Sequence, residues 1–103
     1  WKESGIREEH PEYDLLPSEY FRRQFYGCFW FEHGPTLEAA IEYLGAERVL
    51  YETDFPHPSG MCPGPASSAL APNEFISTRL HTLPESTLRR VLHDNAAALY
   101  KIK

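Results

Sequence analysis

Two side chains capable of catalytic chemistry lie three residues apart in YETDFPHP, residues 51–58. Asp54 directly follows an apolar run, and His57 lies in the proline-containing stretch beyond it. A carboxylate in such a position can ligate a divalent metal ion or accept a proton from metal-bound water. Each residue also has a structural interpretation: Asp54 can close a turn where a strand ends, and His57 can be a partly exposed loop residue.

Glu52 shares the strand face of Asp54, because side chains alternate between the two faces of a strand. If Asp54 points into a barrel, Glu52 points inward one layer below it. A buried glutamate needs a partner, since burial of an unpaired charge is costly. The alternative is that the strand twists and brings the Glu52 side chain to the surface.

The other polar candidates form no recognisable site. Arg22 and Arg23 can bind an anionic group of a substrate, or they can be a solvated pair. No glycine-rich phosphate loop and no GxSxG motif occurs in the chain. Four further histidines share no metal-binding spacing and are expected at the surface. They are His10, His33, His81 and His93.

The elements that would position Asp54 follow a strand–helix–strand pattern. Residues 24–31, QFYGCFWF, are apolar or aromatic on both faces, which is typical of a strand buried on two sides. Residues 35–44 predict a helix, and residues 49–54 predict a second strand. Such βαβ units pair their strands in parallel. The apolar residues of the helix recur on one face: Leu37, Ala40, Ile41 and Leu44.

The rest of the chain predicts a loop and several helices. Residues 55–72 hold five of the nine prolines and predict a long loop, with residues 58–72 forming part of the wall over the site. Helices are predicted over residues 17–24, 74–82, 85–94 and 96–100. Their candidate caps are Ser18 for the first, Asn73 for the second and Asn95 for the last.

The composition indicates one acidic domain. The chain has 103 residues and a net charge of −5, which argues against nucleic acid or an anionic membrane as a partner. No apolar run is long enough to span a bilayer. Cys28 and Cys62 show no CxxC spacing, so we expect free thiols and a cytoplasmic location.

A parallel strand pair with apolar faces requires neighbouring strands and helices on both sides. Two strands and three or four helices do not supply them. The chain also begins without methionine and reads as the interior of a longer one. We therefore expect residues 1–103 to be the C-terminal part of a larger α/β barrel or sheet, with no internal domain boundary.

Three segments together resemble a known family: PSEYFRRQ, LGAERVLYETDFPHP and LHDNAAALY. In this order they resemble the C-terminal part of the amidohydrolase-related metal-dependent hydrolases. The branch is the one that includes aminocarboxymuconate semialdehyde decarboxylase and the resorcylate decarboxylases. The resemblance implies a (β/α)₈ barrel in which residues 24–31 form the seventh strand and residues 49–54 the eighth.

The resemblance also implies the chemistry. Asp54 would ligate a divalent metal, often zinc or manganese, or take a proton from the attacking water, and His57 would be a secondary pocket residue. The substrate would be a small carboxylated or cyclic molecule, cleaved by hydrolysis or by loss of carbon dioxide, in a parent whose homo-oligomeric state is left open.

The family's other metal ligands, an HxH pair and two later histidines, have no counterpart in this sequence. Asp54 and His57 alone fall short of the three protein ligands usual in catalytic zinc sites. We therefore expect the isolated chain to be inactive and to bind no catalytic metal tightly. The alternative is a stand-alone or degenerate α/β interaction module.

Overall fold

A parallel pair of short strands forms the centre of the fold. The computed structural model describes residues 3–57, 60, 64 and 69–103. Strand β1 covers Gly27–Phe29 and strand β2 covers Val49–Tyr51, with Gly27 beside Val49 and Phe29 beside Tyr51. Helix α3, Gly34–Leu44, connects them and is followed by a 3₁₀ turn, Ala46–Arg48. The predicted parallel βαβ unit is confirmed.

Both strands are shorter than predicted. Gln24 is the last residue of a helix, so β1 begins only at Gly27. After Tyr51 the ladder continues through one bond, from the Glu52 amide to the Phe29 carbonyl oxygen at 2.9 Å. Asp54 has a φ of 55°, which is outside the extended region and prevents the predicted strand from reaching residue 54.

Two helices begin at prolines, earlier than their predicted caps. Helix α2, Pro17–Gln24, starts after Leu16, whose amide donates a 2.7 Å hydrogen bond to the Glu19 carboxylate. Helix α4 covers Pro72–Arg79. Proline suits the first helical position because it lacks the amide that would be unpaired there. Ser18 and Asn73 therefore lie inside the first turns, and their predicted capping roles are wrong.

The C-terminal helices form one continuous rod. Helix α5, Glu85–Arg89, leads into a π-helical turn, Arg90–Asp94, and then into helix α6, Asn95–Tyr100. Asn95 has helical φ and ψ of −66° and −45°. The prediction that Asn95 caps a separate last helix is therefore wrong.

The core lies on one side of the sheet. Side chains of both strands pack there against the helices, and the buried cluster consists of Phe29, Leu37, Val49, Phe75, Leu80 and Val91. On the other side, Cys28 at the centre of β1 is exposed, whereas its register partner Leu50 is buried. Burial of both faces of β1 was predicted and is not found, because no layer covers Cys28 among the described residues.

The amino-terminal arm, residues 3–26, contributes nothing to this core. Its helices, α1 at Ile6–Glu9 and α2, contain no buried residue. Phe21 and Phe25 stack on each other at 4.5 Å and are both exposed. We call the described residues from Gly27 onwards the body. Cation–π contacts join the arm to it: Arg22 lies 5.6 Å from the Tyr43 ring, and Arg48 of the body lies 4.9 Å from the Tyr26 ring.

None of the helices in the described ranges combines the length and the apolar character needed to cross a bilayer.

Candidate functional site

Asp54 lies three residues beyond the end of β2, at the carboxyl edge of the parallel pair. Its side chain is 36% exposed, and that of His57 is 64% exposed. The Nδ1 atom of His57 lies 3.5 Å from Oδ2 of Asp54. The structure therefore brings together the two residues that the sequence singled out, with the carboxylate accessible from solvent.

The backbone folds tightly around this pair. The His57 amide donates a 2.8 Å hydrogen bond to the Asp54 carbonyl oxygen, and the Gly60 amide donates a 2.9 Å bond to the His57 carbonyl oxygen. Asp54 occupies the left-handed region, which aspartate tolerates better than most residues. The geometry of the carboxylate is thus set by two successive turns that directly follow the strand.

Glu52 does not join Asp54 in a buried layer. Its side chain is exposed, although its amide still bonds to the Phe29 carbonyl oxygen of the neighbouring strand at 2.9 Å. Partial burial raises the pKa of the Cys28 thiol, and the negative charge of Glu52 raises it further. Cys28 pairs with Leu50, and Glu52 shares the strand face of Leu50, so Cys28 and Glu52 lie on the same side of the sheet, where both are exposed.

Each of the other four histidines contacts a partner that lies within three residues of it in the sequence. They are His10 with Glu12, His33 with the Phe31 carbonyl, His81 with the Thr78 carbonyl and His93 with Asp94. Arg22 and Arg23 stack on tyrosine rings. Within the residues that the structure describes, no three or more histidine, cysteine or acidic side chains converge as a metal site.

An apolar cavity of about 130 Å³ lies between β1 and α3. Leu37, Leu44 and Val49 are among the residues lining it, and none of the lining residues belongs to 52–57. This cavity is a gap on the helix side of the sheet and is separate from the carboxylate. Cys62 and most of the predicted 58–72 wall lie outside the described residues.

Asn95 has a structural role that the sequence analysis did not predict. It is 7% exposed, and its side-chain amide donates hydrogen bonds to the carbonyl oxygens of Ala46 at 2.6 Å and Val49 at 2.8 Å. The signal was its spacing, because Asn95 follows Val91 by four residues and therefore shares the apolar face of the helix.

Asp54 and His57 fit part of a divalent metal site. A carboxylate oxygen and an imidazole nitrogen are both ligands that zinc and manganese accept. The two side chains lie next to each other and are accessible, as ligands of one ion must be. They are two donors, and a catalytic zinc site normally has three from the protein.

A parallel βαβ unit with a carboxylate at the carboxyl edge defines an α/β protein of the kind whose sites form at strand ends. The sequence profile of the amidohydrolase family matches residues 2–102. The chain belongs to the amidohydrolase family, and the resemblance drawn from its motifs is confirmed at that level. Searches of curated proteins and of solved structures returned no match.

Proposed function

We propose that this chain is the C-terminal part of a (β/α)₈ barrel in a metal-dependent hydrolase or decarboxylase, and that Asp54 is a catalytic residue in it. The observation that carries the proposal is the position of Asp54, an accessible carboxylate at the carboxyl edge of two parallel strands, 3.5 Å from His57. Family membership supports a hydrolase and a divalent metal, since members commonly use one.

In this proposal Asp54 would supply one carboxylate oxygen to zinc or manganese and would accept a proton at the other. The metal, when bound, makes its water acidic enough to act as a nucleophile near neutral pH. His57 lines the pocket and contacts the substrate, a small carboxylated or cyclic molecule. The partial exposure of both side chains leaves room for these contacts.

The exposure of Cys28 and Glu52 on the side of the sheet away from the core supports the barrel. Cys28 and Glu52 are exposed there, although they lie on or directly after parallel strands. In a closed barrel this side is the interior, covered by side chains of the other strands. A cytoplasmic location belongs to the proposal as well, because Cys28 is a free thiol and free thiols are typical of reducing compartments.

The substitution Asp54→Asn in the complete enzyme tests the catalytic role. It keeps the size of the side chain and removes its charge and most of its proton affinity. We expect turnover to fall by roughly two to four orders of magnitude, the range typical of a lost general base. The thermal midpoint should stay near that of the unsubstituted enzyme, because the carboxylate is partly exposed and outside the core.

Asp14→Asn is the matched control, since Asp14 is an exposed aspartate that accepts a hydrogen bond from Tyr20 in the arm. It should leave turnover unchanged. Normal turnover in Asp54→Asn would make Asp54 a turn residue and overturn its catalytic role. A large drop in both turnover and thermal midpoint would make its role structural.

A further inference from the structure

We propose that Gly60 is a positioning residue for Asp54. Its missing side chain lets the loop lie directly on the Thr53–Asp54 backbone and hold Asp54 in the conformation that aims its carboxylate. The inference rests on the proposed function, because positioning matters only if Asp54 serves a metal or a substrate. It adds to that function a residue six positions beyond Asp54 in the sequence, whose role does not depend on contact with the metal or the substrate.

The space around Gly60 admits no side chain. An ideal Cβ atom there would lie 2.7 Å from the Thr53 carbonyl oxygen, 2.7 Å from the Asp54 carbonyl oxygen and 3.0 Å from the Asp54 carbonyl carbon. These are backbone atoms, so they cannot rotate away as the end of a long side chain can. Gly60 is buried. Glycine is therefore needed here for space.

The close approach acts on the conformation of Asp54. A non-glycine residue with a φ of 55° is uncommon and must be held by its surroundings. Here the hydrogen bonds from His57 to Asp54 and from Gly60 to His57 hold it, and Gly60 packs against the same carbonyl group that accepts the first bond.

A methyl group at position 60 would therefore push on the Thr53 and Asp54 carbonyls. Gly60 would have to move away from these carbonyls, which would lengthen the hydrogen bond from its amide to the His57 carbonyl oxygen. The Asp54 backbone would then no longer be held in its conformation. The Asp54 carboxylate would then leave its place 3.5 Å from His57. The buried core cluster should not change, because its members in the described ranges all lie outside residues 53–60.

Gly60→Ala in the 103-residue chain tests the proposal, and Gly64→Ala is its matched control. Gly64 lies in the same predicted loop, and among the described residues an added Cβ there would meet nothing within 4 Å. The probe is Mn²⁺ alone, titrated into isotope-labelled protein, because this paramagnetic ion broadens nuclear resonances near it even when it binds weakly. Resonances of Asp54 and His57 report the site, and those of Val49 and Asn95 report the fold.

We expect Gly60→Ala to need at least fivefold more Mn²⁺ for half-maximal broadening at Asp54 and His57. Gly64→Ala should match the unsubstituted chain, and the Val49 and Asn95 resonances should not shift in either variant. If the role of Gly60 were purely structural, Gly60→Ala would instead shift the Val49 and Asn95 resonances along with those of Asp54 and His57. Identical Mn²⁺ titrations for Gly60→Ala and the unsubstituted chain would overturn the proposal.

Asp54→Asn separates this inference from the proposed function. If it leaves the Mn²⁺ titration unchanged, Asp54 does not bind Mn²⁺ in this chain, and the proposed function is judged by the turnover of Asp54→Asn in the complete enzyme. Positioning is then judged from the Asp54 Cα and Cβ chemical shifts, which must change in Gly60→Ala and not in Gly64→Ala. If Gly60→Ala does not fold, slow exchange of the His57 and Gly60 amides in the unsubstituted chain supports the proposal, and unprotected exchange overturns it.

Discussion

The side-chain amide of Asn95 donates a 2.8 Å hydrogen bond to the backbone carbonyl oxygen of Val49, the first residue of β2. Its second hydrogen is used as well, in a 2.6 Å bond to the Ala46 carbonyl oxygen. The C-terminal helix thus holds the amino end of the strand whose other end leads to Asp54. Asn95 thus fixes the amino end of β2, although it lies 41 positions from Asp54 along the chain.

Asn95→Asp should strongly destabilise the chain. The variant has nearly the same shape, but it replaces two donors with acceptors and buries a charge against two carbonyl oxygens. We expect a loss of about 2–4 kcal/mol in the free energy of unfolding. Urea unfolding measures it, with Asn73→Asp at an exposed helix position as the control, which should change by no more than about 0.5 kcal/mol. Equal losses in the free energy of unfolding for Asn95→Asp and Asn73→Asp would show that the hydrogen bonds of Asn95 do not stabilise the fold.

Tyr51→Phe should leave stability equal or raise it. The Tyr51 ring packs 5.5 Å from the Phe29 ring and 6.2 Å from the Phe75 ring, while its buried hydroxyl has no hydrogen-bond partner in the described part of the chain. Removing an unpaired buried hydroxyl relieves a penalty of about 1–3 kcal/mol. Thermal unfolding tests it, with Tyr100→Phe on the surface as the neutral control. A lower midpoint for Tyr51→Phe alone would mean that the hydroxyl has a partner.

Glu52→Gln should speed the alkylation of Cys28. Burial and then the Glu52 charge raise the pKa of the thiol, which lowers the thiolate fraction at pH 8. Because thiolate is the reactive form, removing the charge should raise the rate with iodoacetamide about twofold. The gain should fade at high pH, where the thiol is ionised in both proteins.

Peptide mass spectrometry follows Cys28 separately from Cys62 in this experiment. Glu8→Gln, in α1 of the arm, is the control and should leave the rate unchanged. An unchanged rate in Glu52→Gln would place the two side chains too far apart to interact, and would remove one support for a shared barrel-interior face.

The sequence was sufficient to predict the elements whose signal is periodic. The apolar spacing in residues 35–44 predicted α3, because burial on one side of a helix imposes this period. The apolar runs on either side of that helix predicted the parallel pair. The ends of the elements were harder to predict. Pro17 and Pro72 each compete with a polar residue next to them as the helix start, and local propensity does not decide between them.

The sequence placed Asp54 and His57 near each other, and the structure shows them 3.5 Å apart, while their role in a site stays a prediction. They were singled out because few residue types do this chemistry and their place after a strand is informative. The left-handed turn at Asp54 and the packing of Gly60 on it depend on contacts between backbone atoms, which no residue pattern reports. Asn95 was misread because asparagine is a common helix cap, and its tertiary partners at Ala46 and Val49 override that preference.

Trypsin should cleave the arm and the C-terminal rod through different opening events. Because α1 and α2 bury nothing, cleavage by trypsin after Arg22 or Arg23 requires only local opening of one helix. Cleavage after Arg89 or Arg90 requires release of the rod that Asn95 anchors. The first cut should therefore proceed at the same rate in Asn95→Asp, whereas the second should accelerate, and timed digestion of the two proteins shows whether it does. A destabilised body would thus be lost to proteases while the susceptibility of the arm stayed constant.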